Sequence, residues 1–177
     1  YRLKKSPEST DFDLYLNDQI ACIVSGMGSE KMTAAVAWAI NEVAQSDSIW
    51  INLGIAGHKT LIVGSIVIAS KLSQFGQQEI IELKPSYDTE LPLLPVITQP
   101  KESVDYTDDA LFDMEAYPFI KAVLSITLIE NAVCIKIISD NQNNLPTRNK
   151  ARISALIALH MTDIDKITQQ LLSGSPR

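Results

Sequence analysis

The sequence has little that would tie it to a membrane or to nucleic acid. Its longest apolar stretches, residues 62–69 and 132–138, fall far short of the roughly 18 residues that a spanning helix needs. The start, Tyr1-Arg2-Leu3-Lys4-Lys5, is basic, but no apolar region follows it, so no signal-peptide pattern is visible. Cations are in deficit: 15 Lys+Arg stand against 21 Asp+Glu, a net charge of −6, which argues against a broad phosphate-tracking surface. A small anion pocket stays open. Cysteine is scarce. Cys22 and Cys134 each fall inside a β-like run and are expected to be small buried thiols rather than a disulfide, which implies a reducing, cytoplasmic setting. An initiator methionine is also lacking, so either a fragment or a processed chain is expected.

Hydrophobic residues make up 46% of the 177 and charged residues 20%, enough apolar material for one packed domain spanning 1–177. Phe12-Asp13-Leu14-Tyr15-Leu16 alternates as a half-buried strand does, Asn17-Asp18 reads as a turn, and residues 20–24 form a second strand. From about Glu30 to Gln45 the positions Ala34, Ala35, Trp38, Ala39, Glu42 and Val43 recur at helical spacing, and their small residues suit close packing on a sheet. A short strand over 48–53 leads to Gly54-Ile55-Ala56-Gly57, read as a glycine turn. Strand, glycine turn, helix and strand together predict a right-handed βαβ unit with parallel strands.

Residues 62–70 and 79–83 are further strands, with a reversal near Gly64. The stretch from Pro85 to Asp109 is rich in proline and polar residues. It predicts a long surface connection with one short extended run at Val96-Ile97. A helix is expected from Asp113 to about Leu128, with Pro118 in its first turn or at a kink. Residues 132–138 read as a central strand covered on both faces, and 145–172 as one long helix opened by Pro146 and closed by Gly174. The alternation gives an α/β sandwich with a mostly parallel, mixed central sheet flanked by helices. Ligands in such sheets sit beyond the carboxyl ends of strands, which singles out 25–28, 54–57 and 139–141.

Each of these strand ends has a plain reading beside a functional one. Ser25-Gly26-Met27-Gly28-Ser29 precedes a helix, where free N–H groups favour an anion or a polar ligand edge, yet it lacks the lysine of a P-loop and the third glycine of a dinucleotide fingerprint. Gly54-Ile55-Ala56-Gly57 is either a tight turn or a surface for a flat ligand. His58 and His160 stand at no metal-ligand spacing, so a surface position is expected for His58 and packing or solvent for His160. Asp113 and Glu115 flank Met114 at a helix start and could simply answer the helix dipole. Asp140 is either a turn residue or a desolvated acid at the sheet mouth.

Taken in order, Ser25-Gly26-Met27-Gly28, Asn52-Leu53-Gly54-Ile55-Ala56-Gly57, Val63-Gly64-Ser65-Ile66-Val67-Ile68-Ala69, Asp113-Met114-Glu115-Ala116 and Ile138-Ser139-Asp140 resemble the purine nucleoside phosphorylase and methylthioadenosine/S-adenosylhomocysteine nucleosidase superfamily. The resemblance covers most of 20–172. It implies cleavage of the N-glycosidic bond of a purine nucleoside or a 5′-modified relative. The aspartate matching Asp140 would protonate or hydrogen-bond N7 of the leaving base, the glutamate matching Glu115 would accept from ribose hydroxyls, and Met114 would pack on the sugar. Ala56 and Gly57 match the turn beside the base, Ser139 belongs with Asp140, and Met27 matches an apolar residue near the 5′ substituent. No metal or organic cofactor is implied, and a homo-oligomer is.

Departures from the pattern shape the expected chemistry. Asn52 and Ile55 stand where phosphorolytic members hold phosphate with arginine and serine, so hydrolysis is favoured over a reaction with a phosphate partner. Members of the superfamily open with a central strand and a loop whose glutamate activates water. This sequence matches from after that strand, which keeps a second reading in view, a catalytically impaired nucleoside-binding protein. Phe75, Tyr87 and Tyr106 are the candidates for the aromatic that stacks on the base.

Overall fold

The polar leader and the first alternating segments, too short to bury two faces, build a small sheet of their own. In the computed structural model, which describes residues 3–7, 11–84, 89–146 and 148–173, Lys4–Lys5 (β1), Asp13–Leu16 (β2) and Ala21–Val24 (β3) pair antiparallel in that order. Leu14 is its buried residue, and Phe12 reaches Trp38 of the next element with ring centroids 6.0 Å apart. That element is helix α1, Ser29–Glu42, whose inner face is Met32, Ala35, Val36 and Ala39. Ala35 and Ala39 of the sequence reading lie on this face, Met32 and Val36 join them, and Ala34 is exposed.

The main sheet has six strands. Trp50–Gly57 (β4) is followed by Ile66–Gln74 (β5), Ile80–Glu82 (β6), Leu93–Thr98 (β7) and Leu111–Asp113 (β8). Helix α2, Ala116–Val123, and a single 3₁₀ turn lead to Ala132–Asp140 (β9). The order is β6-β5-β7-β8-β4-β9, and β5 also pairs with β9, so the sheet closes on itself. Pairs β4–β9, β5–β7 and β7–β8 are parallel; β4–β8, β5–β6 and β5–β9 are antiparallel. This is the mixed α/β sandwich that the alternation of elements implies.

All nine residues of β9 are buried, as expected of a strand covered on both faces. Cys134 and Ile138 face a core that includes Met32 and Val36 of α1 and Phe119 and Ile120 of α2. Val133, Ile135 and Ile137 face Ile164, Ile167 and Leu171 of the last helix. Each fully buried side chain of this kind contributes about 1.5–3 kcal/mol, which makes β9 the strand on which both layers depend.

Several expectations are corrected. Gly54-Ile55-Ala56-Gly57 is strand, not turn: β9 lies alongside and pairs with it through Ile55↔Ile137, Ala56↔Ile138 and Gly57↔Asp140, with an irregularity at the last step. Because β3 belongs to the small sheet, β3–α1–β4 is not a βαβ unit of paired parallel strands. β5 starts at Ile66, after the reversal at Gly64 (φ +96°). Within the supposed surface connection, β7 is an interior strand with Val96 and Thr98 fully buried. Helix α2 is short, and Pro118 sits in its first turn, where no intrahelical N–H is needed.

The long C-terminal helix is two, Lys150–Ala158 (α3) and Met161–Ser173 (α4), with a break at Leu159-His160. Asn149 rather than Pro146 opens α3, its side chain accepting from the Arg152 N–H at 3.1 Å. His160 is held at the break, with Nε2 2.5 Å from the Gly64 carbonyl oxygen and Nδ1 3.1 Å from Asp163 Oδ2. Both cysteines are free, but only Cys134 is buried; Cys22 lies exposed on β3. Burial pushes the Cys134 thiol up to about 12. Tyr87 and Gly174 lie outside the described residues. No described helix is long and apolar enough to cross a membrane.

Candidate active site

The ends of three strands converge. Gly57, the last residue of β4, is opposite Phe112 of β8 on one side and Asp140 of β9 on the other. Asp140 is 5% exposed, and both of its carboxylate oxygens are engaged. The Ser139 hydroxyl donates to Oδ1 and the Tyr106 hydroxyl to Oδ2. Ser139 Oγ is also 3.3 Å from the Ala56 carbonyl oxygen, which ties the carboxylate to β4. Tyr106 comes from the segment between β7 and β8, is buried, and packs edge-on against Phe112 at 5.5 Å. Burial first, then the bond to Asp140, raises the Tyr106 hydroxyl well above its ordinary value, so it stays a donor.

Gly57 is required by this approach rather than by its backbone angles. A Cβ there would lie 2.5 Å from Asp140 Oδ2 and 2.7 Å from the Tyr106 hydroxyl oxygen and ring. We predict that Gly57→Ala displaces one of the two groups, lowers stability by about 1–3 kcal/mol as overpacking does, and weakens any ligand that lies on this strand end. Thermal melting together with ligand titration reads both effects; an unchanged melting temperature and affinity would contradict the packing described.

A second polar cluster lies beside the first. Lys136 is wholly buried on β9, with Nζ 2.7 Å from Asp113 Oδ2 at the end of β8. Asp113 Oδ1 accepts from the buried Thr98 hydroxyl at 2.6 Å, and Oδ2 accepts from the Ala116 N–H at 2.7 Å and the Glu115 N–H at 3.2 Å. The strand residue therefore caps α2, a duty the Glu115 side chain does not perform. Burial opposes charge on Lys136, but Asp113, Cys134 and Glu115 outweigh it and hold the ammonium above its ordinary value. On the same face, a Cβ at Gly54 would be 3.2 Å from Lys136 Nζ, and the buried Asn52 keeps its Oδ1 without a hydrogen-bond partner.

Glu115, released from capping, turns toward α1. Its Oε1 accepts from the Gly28 N–H at 2.6 Å, and the Ser29 hydroxyl donates to the Met114 carbonyl oxygen at 3.2 Å. The starts of α1 and α2 thus meet at Glu115. Gly28 adopts φ +102°, which favours glycine and aims its N–H outward from the helix start. Burial raises the Glu115 carboxyl above the usual range, against the opposing pull of Lys136 and the Gly28 N–H.

The structure brings Asp140, Ser139, Ala56 and Gly57 together and joins Glu115 and Met114 to the start of α1. Met27 is 55% exposed on the Gly26–Gly28 loop. Phe75, at the far end of β5, is also exposed. His58 is buried rather than on the surface: Nδ1 accepts from the Thr60 and Leu61 N–H groups at 3.1 Å each, and Nε2 is 3.3 Å from Asp109 Oδ1. Asp113, singled out in the sequence beside Met114 and Glu115, anchors the second cluster, whereas its partner Lys136 lay unremarked in the apolar run 132–138. Tyr106 carried no signal that distinguished it from the other aromatics.

No protein-family model and no curated protein sequence matches the chain. Solved structures do. A 5′-methylthioadenosine/S-adenosylhomocysteine nucleosidase from Campylobacter jejuni superposes with a TM-score of 0.71 at 12% identity, covering 96% of this chain and 89% of that one. The fold is that of these nucleosidases. The enzyme from Colwellia psychrerythraea, in complex with adenine, gives 0.69 at 15% identity over 98% of this chain and 87% of its own. A nucleosidase from Chlamydia trachomatis bound to MTA gives 0.62 at 18% identity, with coverages of 98% and 85%. The fold that the ordered strand-end motifs imply is therefore the one the chain adopts.

Proposed function

We propose that the chain cleaves the N-glycosidic bond of a purine nucleoside, or of a 5′-modified nucleoside, with water as acceptor. The observation that carries this reading is the buried Asp140 carboxylate at the end of β9, lying against Gly57 with no side chain between them. An N-glycosidic bond breaks through an oxocarbenium-like state, and the base must leave with its charge covered. A carboxyl on a flat glycine surface can meet N7 edge-on while the ring lies along the strand. General-acid help of this kind is worth about 10²–10⁴-fold.

Glu115 accepts from the ribose hydroxyls in this reading, and Met114 packs on the sugar. Its Oε1 already accepts from Gly28, so the sugar hydroxyls meet an oriented acceptor rather than a mobile one. Asn52 is uncharged and Ile55 carries no hydroxyl, so neither can neutralise a phosphate, which favours hydrolysis. The ligands in the similar solved structures, the base adenine and MTA, support a purine nucleoside as the substrate class.

The test is product analysis. Incubated with 5′-methylthioadenosine or adenosine, the protein should release adenine and the free pentose at a rate that added inorganic phosphate does not change. A pentose 1-phosphate as product would replace hydrolysis by phosphorolysis. Binding of adenine without any release would favour the second reading, a nucleoside-binding protein on this fold.

A further inference from the structure

Tyr106 stands in a place that the proposed reaction needs for something else. Its ring lies within 2.7 Å of the position a Gly57 Cβ would take, and its hydroxyl donates to Asp140 Oδ2. A flat aromatic ring on the glycine surface with a donor on the carboxylate is the arrangement a departing purine would make there, N7–H taking the place of the hydroxyl. The side chain is 4% exposed, so the subsite is filled and not merely bordered. We propose that Tyr106 is an internal occupant of the base subsite, which a purine must displace in order to reach Asp140. The inference rests on reading the Asp140 end of the sheet as the base site.

The segment that carries Tyr106 is built to be released. Between β7 and β8 its residues 100–109 form no helix or strand. Apart from Tyr106 itself, the polar ties from this stretch to other described elements are two: Glu102 to the largely exposed Arg148 at 2.9 Å, and Asp109, itself 90% exposed, to the buried His58 at 3.3 Å. The Glu102–Arg148 pair is exposed and contributes little, and the Asp109 contact is not a hydrogen bond: the buried His58 Nε2 has no hydrogen-bond partner. Behind Tyr106, Phe112 belongs to β8 and Ala110 adjoins it, so the wall stays in place when the ring leaves. The occupied state keeps both Asp140 oxygens bonded in the empty protein, which avoids the cost of a buried unsatisfied carboxylate. A purine then exchanges one hydrogen bond and one aromatic contact for another, so affinity reflects a difference between occupants.

Titration of adenine into the wild-type protein and into Tyr106→Phe separates this from the opposite role. Loss of the hydroxyl weakens the internal occupant and leaves the purine's own bond to Asp140 intact, so adenine should bind about tenfold more tightly, the scale of one hydrogen bond to a charged group after solvation is counted. Tyr106→Ala should bind at least as tightly as wild type. A structural or stacking role predicts the reverse order, because either change would then remove a support of the ligand. With 3-fluorotyrosine incorporated, the Tyr106 resonance, assigned by its absence in Tyr106→Phe, should move to a solvent-like position on adenine saturation. Equal or weaker binding by a folded Tyr106→Phe, or an unmoved resonance, overturns the inference while leaving the base site standing. Failure of wild type and both variants to bind adenine at all overturns the reading of the site, and the inference with it.

Discussion

Asp140→Asn is expected to lower kcat for base release by about 10²–10⁴-fold, the range of a lost general acid, with a smaller change in adenine affinity. Asparagine keeps the size of the side chain and an oxygen that can accept from Ser139 or Tyr106, so the end of β9 keeps its shape. What it loses is the proton that a carboxyl can share with the departing base. The distinguishing feature is the split: kcat falls while product binding persists, since the interaction removed is made mainly as the base leaves. Turnover at the wild-type rate would remove Asp140 from the chemistry. Loss of binding in parallel with turnover would make it a binding residue only.

The largest effect on stability is expected at Lys136. Its ammonium is fully buried and sits 2.7 Å from Asp113, which in turn holds Thr98 and the start of α2. Lys136→Met matches the side chain in length but leaves Asp113 as a buried anion with only neutral partners. Breaking a buried pair in this way costs about 3–5 kcal/mol, chiefly through the uncompensated charge. Replacing both members together should cost less than the single change, although Asp113→Asn also weakens the cap on α2. Urea unfolding of wild type, the two single variants and the double variant measures the coupling. A double variant no more stable than Lys136→Met would show that the pair does not hold the strand ends together. In the same series the Glu115 carboxyl should move further up, because Lys136 is the largest opposition to the burial that raises it.

The fold was legible where periodicity and burial agree. Residues 132–138 read as a central strand because seven mostly β-branched apolar positions have one physical home, between two covered faces, and β9 is there. The same uniformity concealed Lys136, since one charge in such a run looks like noise until its partner is known. That partner, Asp113, lies 23 positions back in sequence and reaches Lys136 only through the sheet. Gly54 and Gly57 were taken for a turn because glycine is usually a matter of backbone freedom. Here both are strand residues that leave room for Lys136 Nζ and for Asp140 with Tyr106. No local rule tells these two uses of glycine apart.

The candidate site was legible by the order of its motifs more than by any one of them. Ser139, Asp140, Ala56 and Gly57 come together at one strand end because β4 and β9 pair in parallel along their whole length. Tyr106 was one of three candidate aromatics, but its burial was hidden in a stretch whose prolines and carboxylates read as solvent-exposed connection. Its burial depends on Phe112 and Gly57, contacts that only the closed sheet creates. His58 was misplaced for a related reason: two backbone N–H groups just ahead of it turn its ring inward, and nothing in the neighbouring residue types announces that.

The most direct measurement is a crystal structure of the protein with adenine bound. The account predicts adenine flat against Gly57 with N7 within hydrogen-bond distance of an Asp140 carboxylate oxygen, and Tyr106 displaced from that oxygen. Adenine seated elsewhere, with Tyr106 still on Asp140 and the Gly57 surface uncovered, would contradict it.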